Sequence, residues 1–142
     1  MKTRTVLVLT VLLTCVSGVT HADPLADGLQ ALKAGNYKKA EPILRALAVQ
    51  GNGVAEDKIG QMCFYGKGVP QSYINALKWY RKSADQGNAD AQVRLGFMYD
   101  SGAGVPLDHK AAAKWYRKAA DQNNTSAQIM LGVKHPRQFE PF

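Results

Sequence analysis

Apolar positions along most of the chain recur at helical spacing and are punctuated by short turns rich in glycine and proline. The clearest stretch is 91–120. Ala91, Leu95, Met98 and Tyr99 share one face of a first helix. Gly102-Ala103-Gly104-Val105-Pro106 then breaks it, because glycine accepts positive φ and proline cannot continue a helix. Asp108 is placed to cap a second helix, in which Ala112, Trp115, Tyr116, Ala119 and Ala120 form an apolar stripe. Lys114, Arg117, Lys118 and Asp121 lie opposite that stripe. Upstream, Ala76, Trp79, Tyr80, Ser83 and Ala84 repeat it. The pattern predicts an all-α chain of helix–turn–helix units.

The units are copies of one another. Residues 51–86 and 87–122 align without a gap and agree at 18 of 36 positions, including Gly60/Gly96, Gly66/Gly102, Gly68/Gly104, Pro70/Pro106 and the run Lys-Trp-Tyr-Arg-Lys. Residues 23–50 form a hairpin with a shorter turn. Residues 123–135 restart a unit and stop halfway, leaving 136–142 as a tail, with His135 and Pro136 ending the last helix. A lone hairpin of this kind cannot bury its face, so the units must stack into a solenoid.

Residues 1–22 have a different pattern. Lys2 and Arg4 precede a run from Val6 to Val19 that is almost all apolar, Thr or small, and Ala22 offers a small-residue cleavage site. This is the layout of a secretory signal peptide, which predicts a periplasmic or secreted protein. An uncleaved membrane anchor, or lipidation at Cys15, would use the same segment differently. Cleavage after Ala22 removes two cations and lowers the formal charge from +7 to +5. It also removes Cys15, leaving Cys63 as the one thiol, so no intramolecular disulfide is expected. Export argues against nucleic acid as the partner of this basic chain.

The run Ala-x-x-x-Leu-Gly-x-x-Tyr-x-x-Gly-x-Gly-Val-Pro followed by Ala-x-Lys-Trp-Tyr-Arg-Lys-Ala-Ala, carried here by Ala91 to Pro106 and Ala112 to Ala120, resembles the Sel1-like repeat family. The preceding unit matches with Ile59 for the leucine and Cys63 for the tyrosine. Residues 25–50 resemble the related tetratricopeptide repeat. The resemblance implies a right-handed superhelix of antiparallel helix pairs, without cofactor or metal, that binds other proteins as an envelope or secreted adaptor. Some secreted relatives staple each repeat with a cysteine pair, which this chain lacks.

By that analogy the first helix of each unit lines a concave groove. Its outward positions are Val54, Asp57, Gln61 and Phe64, then Asp90, Val93, Phe97 and Asp100, then Ser126, Ile129 and Val133. The two full units disagree here, so these positions are free to carry specificity for a protein or peptide. Apolar Phe64, Phe97 and Ile129 suit a peptide groove; packing against flanking helices or the tail is the competing use.

Other candidates weigh less. Trp79, Tyr80, Trp115 and Tyr116 read as core at the helix seams, although aromatic platforms for sugars or bases use the same residues. Lys78-Arg81-Lys82 and Lys114-Arg117-Lys118 read as a solvated face pairing Arg81 with Asp85 and Arg117 with Asp121. Contact with anionic membrane through that face is a minor alternative. Cys63 reads as a buried inert thiol, with redox or intermolecular pairing as the alternative. The glycine turns are too short for a phosphate loop, and Asn123-Asn124-Thr125 reads as a loop. Neither His109 nor His135 can be assembled with a nucleophile and an orienting group by spacing, so a non-catalytic, monomeric binding module is expected. A hydrolase or cell-wall-ligand binder, such as one taking β-lactam or peptidoglycan, is the alternative function; it requires His109 or His135 to converge with carboxylates in one pocket.

Overall fold

The structure is a computed structural model and describes residues 23–134. The signal-peptide segment with Cys15 and Ala22, and the tail from His135 to Phe142, lie outside the described residues. Among those described there is no strand, and seven helices follow in order: α1 Pro24–Lys33, α2 Tyr37–Val49, α3 Gly53–Tyr65, α4 Tyr73–Asp85, α5 Ala89–Ser101, α6 His109–Ala120 and α7 Thr125–Lys134. The main packing partners are consecutive helices, as in a solenoid built by stacking hairpins.

Local sequence sets each boundary. Asn52 and Asn88 cap α3 and α5, accepting from Ala55 N at 3.0 Å and Ala91 N at 3.2 Å. Asp108 caps α6 as expected, accepting from Ala111 N at 2.9 Å. The first helix of each full unit ends on a left-handed glycine, Gly66 or Gly102. The second helices are followed by Gly51, Gly87 and Asn123 at positive φ, one every 36 residues. Asparagine is among the few side-chain-bearing residues that enter that region at low cost.

The repeated glycines inside the helices have a packing reason. Tyr80 and Tyr116 are almost fully buried, and their rings lie against the backbone of Gly60 and Gly96. A Cβ on Gly60 would stand 2.6 Å from the Tyr80 ring, and one on Gly96 2.7 Å from the Tyr116 ring. The same device operates between units in the turns: a Cβ on Gly104 would stand 2.8 Å from the Tyr73 carbonyl carbon. Around these contacts Ala40, Leu44, Ile59, Met62, Leu95, Met98 and Ala119 are buried and form the interior of the stack.

The tryptophans correct the sequence expectation. Trp79 and Trp115 are half-buried at the edge of the seams, not interior, and Lys82 and Lys118 lie over their rings at 4.8 and 4.4 Å from the centroids. Arg81 is also used differently: its guanidinium donates to the Tyr99 hydroxyl of the next unit rather than pairing with Asp85.

Candidate functional site

Outward positions of α3, α5 and α7 meet in a pocket of about 410 Å³. Phe64 and Tyr65 come from α3, Val93, Arg94 and Phe97 from α5, and Ser126, Ile129 and Met130 from α7, with Tyr80 of α4 behind them. On α5 Val93 and Phe97, and on α7 Ser126 with Ile129 and Met130, are three or four residues apart, which places each set on one face of its helix. Phe64 is the hub of the apolar wall, with ring centroids 4.9 Å from Tyr73, 5.0 Å from Tyr65 and 6.2 Å from Phe97. Phe97 and Ile129 present 41% and 57% of their surface to solvent, unusual for large apolar residues unless something is to cover them.

Of the residues singled out by sequence, Phe64, Val93, Phe97, Ser126 and Ile129 therefore converge. Val54 and Val133 are exposed but do not line this pocket. Asp90 is exposed and accepts a hydrogen bond from Asn124 Nδ2 at 3.0 Å, tying α5 to the start of α7. Asp100 turns its carboxylate to His109 Nδ1 at 2.9 Å, clasping the end of α5 to the start of α6.

Asp57 is the main correction. Expected on the groove surface, it is 1% exposed and pairs with Lys58 Nζ at 3.1 Å and Arg94 Nε at 2.9 Å. A carboxylate buried here without partners would lose hydration with nothing in return, and this one is held by two cations. Gln61, expected beside it, turns its amide oxygen to the same guanidinium, with Arg94 Nη1 at 3.1 Å. Together they orient Arg94 between the apolar pocket and a smaller one of about 260 Å³ near Tyr37 and Lys67.

Arg94 is the site residue that sequence reasoning missed. One signal was available: the outward aspartate Asp57 has no counterpart in the next unit, where Val93 stands, and the cation beside Val93 is an arginine rather than lysine. Only the stacking of α3 on α5 shows that the two are partners. Burial raises the Tyr80 hydroxyl above the usual phenol range, and burial with Asp100 beside it does the same for Tyr116. Both stay neutral in the seams at ordinary pH.

His109 does meet a carboxylate, but neither it nor Asp100 lines the groove or the smaller pocket beside it. Among the described residues no group of three or more His, Cys, Asp and Glu converges as metal ligands would. No helix there is long and apolar enough to cross a membrane.

Residues 53–88 and 89–124 each match the Sel1 repeat family, with the period of 36 found in the sequence and a start two residues later, at the first residues of α3 and α5. Similar solved structures include a Sel1 repeat protein from Oxalobacter formigenes, 38% identical, with a TM-score of 0.73 over 78% of this chain and 45% of the other. A protective antigen present in uropathogenic Escherichia coli strains and displaying an SLR fold is 41% identical, with a TM-score of 0.66 over 68% of this chain and 21% of the other. The chain thus spans less than half the length of either. No curated protein matches it.

Proposed function

The chain belongs to the Sel1 repeat family, whose helical scaffold generally serves protein interaction without catalysis, and on that premise we propose that it is an exported adaptor that grips one segment of a partner protein in the groove between α3, α5 and α7. The observation that carries this reading is the meeting of Phe64, Val93, Phe97 and Ile129 in one open apolar pocket beside a fixed guanidinium. An apolar side chain of the partner fills the pocket. A neighbouring carboxylate or backbone carbonyl takes the outer N–H groups of Arg94, whose side chain is 30% exposed. The apparent signal peptide supports a periplasmic or secreted location.

Selection of displayed peptides on the purified chain tests this. The selected peptides should carry an aromatic or aliphatic anchor next to an acidic residue. Phe97→Asp should weaken them by about tenfold or more while leaving helical circular dichroism unchanged. Equal binding by the folded Phe97→Asp chain would remove the groove from consideration.

A further inference from the structure

The internal repeat exposes a second site that shares no residue with the groove. Cys63 stands where Tyr99 stands one unit later, and Arg45 where Arg81 stands. In the later unit the Tyr99 ring packs against the α6 cluster of Ala112 and Ala113 and its hydroxyl accepts from Arg81, whose guanidinium lies 5.9 Å from the ring centroid. In the earlier unit the side chain ends at the thiol, and the phenol is missing. A pocket of about 470 Å³ opens there between α2, α3, the 66–72 turn and α4. Arg45, without a tyrosine hydroxyl to meet, turns to Glu41 on its own helix.

Cations and one indole ring wall this pocket. Arg45, Lys78 and Lys82 all line it, and Trp79 supplies an aromatic side wall that Lys82 approaches at 4.8 Å. Two carboxylates stand near these three cations, Glu41 paired with Arg45 and Glu56 within reach of Lys82, so the pocket keeps a net positive potential, concentrated by the concave wall. Burial pushes the Cys63 thiol up from its ordinary value, so the floor is neutral and does not repel an anion. We propose that this pocket binds a small aromatic anion of benzoate type, whose ring takes the place of the missing phenol and whose carboxylate meets Arg45, with Lys78 and Lys82 at the rim. Arginine's planar fork suits a carboxylate better than it suits a phenol hydroxyl.

Titration calorimetry with sodium benzoate on the full chain tests the site, with benzyl alcohol as the neutral ring of similar shape. Benzoate should bind more tightly than benzyl alcohol; equal affinity, or no benzoate binding up to about 10 mM, overturns the proposal. Cys63→Tyr restores the phenol and should weaken benzoate by about tenfold or more, whereas Cys63→Ala leaves the space open and should keep it within about threefold. A folded Cys63→Tyr chain that binds benzoate as the unaltered one does also overturns it. Should Cys63→Tyr fail to fold, the unaltered chain supplies the readout: saturating benzoate should slow alkylation of Cys63 by iodoacetamide, followed by mass spectrometry of its peptide. An unchanged rate at that cysteine counts against the site as firmly as absent binding.

Discussion

Glu56 and Gln92 occupy the same position in consecutive units, and the comparison shows what one buried charge does. Glu56 accepts from Gln86 Nε2 at 2.6 Å, while Gln92 Oε1 accepts from Gln122 Nε2 at 3.0 Å in the matching place. Burial raises the Glu56 carboxyl above its ordinary value, only partly offset by Lys82. A folded-state value above the unfolded one means the native chain binds the proton more tightly, so this residue makes stability fall as pH rises through the raised value. It contributes nothing below the unfolded value, where both states are protonated. Glu56→Gln should therefore raise stability at neutral pH by on the order of 1 kcal/mol and flatten the melting-temperature profile between the unfolded and the raised value. Thermal melts across the acid-to-neutral range check it; an unchanged profile would mean that burial does not raise the Glu56 carboxyl. Asp57 solves the same problem differently, by pairing with Lys58 and Arg94. Both carboxylates look alike in the sequence, and only their neighbours separate them.

At the scale of the helices, the seams depend on glycine where a tyrosine ring crosses. Gly96→Ala would push a Cβ to 2.7 Å from the Tyr116 ring, whose burial leaves it little room to retreat. The overpacking cost of about 1–3 kcal/mol should outweigh the roughly 0.5–1 kcal/mol that alanine gains as a helix former. Gly132→Ala is the same chemical change on α7, where nothing lies within 4 Å, and there the propensity gain of up to about 1 kcal/mol should stand alone. Urea denaturation of the two variants should show shifts of opposite sign; shifts of the same sign would mean that the rings do not set the glycine requirement. The groove also belongs to this scale. Its third wall is α7, half of a unit, which supplies Ser126, Ile129 and Met130.

Across the whole molecule, each helix packs mainly on its neighbours in the chain, so stability approximates a sum of adjacent interfaces. α2 to α6 are flanked on both sides by described helices. α1 has one such neighbour, and α7 has one main packing partner, α6. Hydrogen exchange should then show the slowest amides within α2 to α6 and loss of protection toward α1 and α7. Uniform protection along the chain would instead indicate a single cooperative unit and sink the additive picture.

Helix positions, turn chemistry, the 36-residue period and the all-helical stack were legible in the sequence, because each follows from local rules repeated twice. The stripe residues Tyr80 and Tyr116 could be assigned to the core since they recur at equivalent places, and Phe64, Val93, Phe97 and Ile129 to one face by helical spacing. The partners across units were not legible. Asp57 and Arg94 are 37 residues apart and obey no repeat, so their pairing, the burial of the one and the orientation of the other arise only when α3 stacks on α5. The lysines over Trp79 and Trp115, and the space that Cys63 leaves beside Arg45, depend likewise on which surfaces the stack brings together. Local periodicity fixes which way a side chain points along its own helix; what it meets there is set by the packing of helices far apart in the chain.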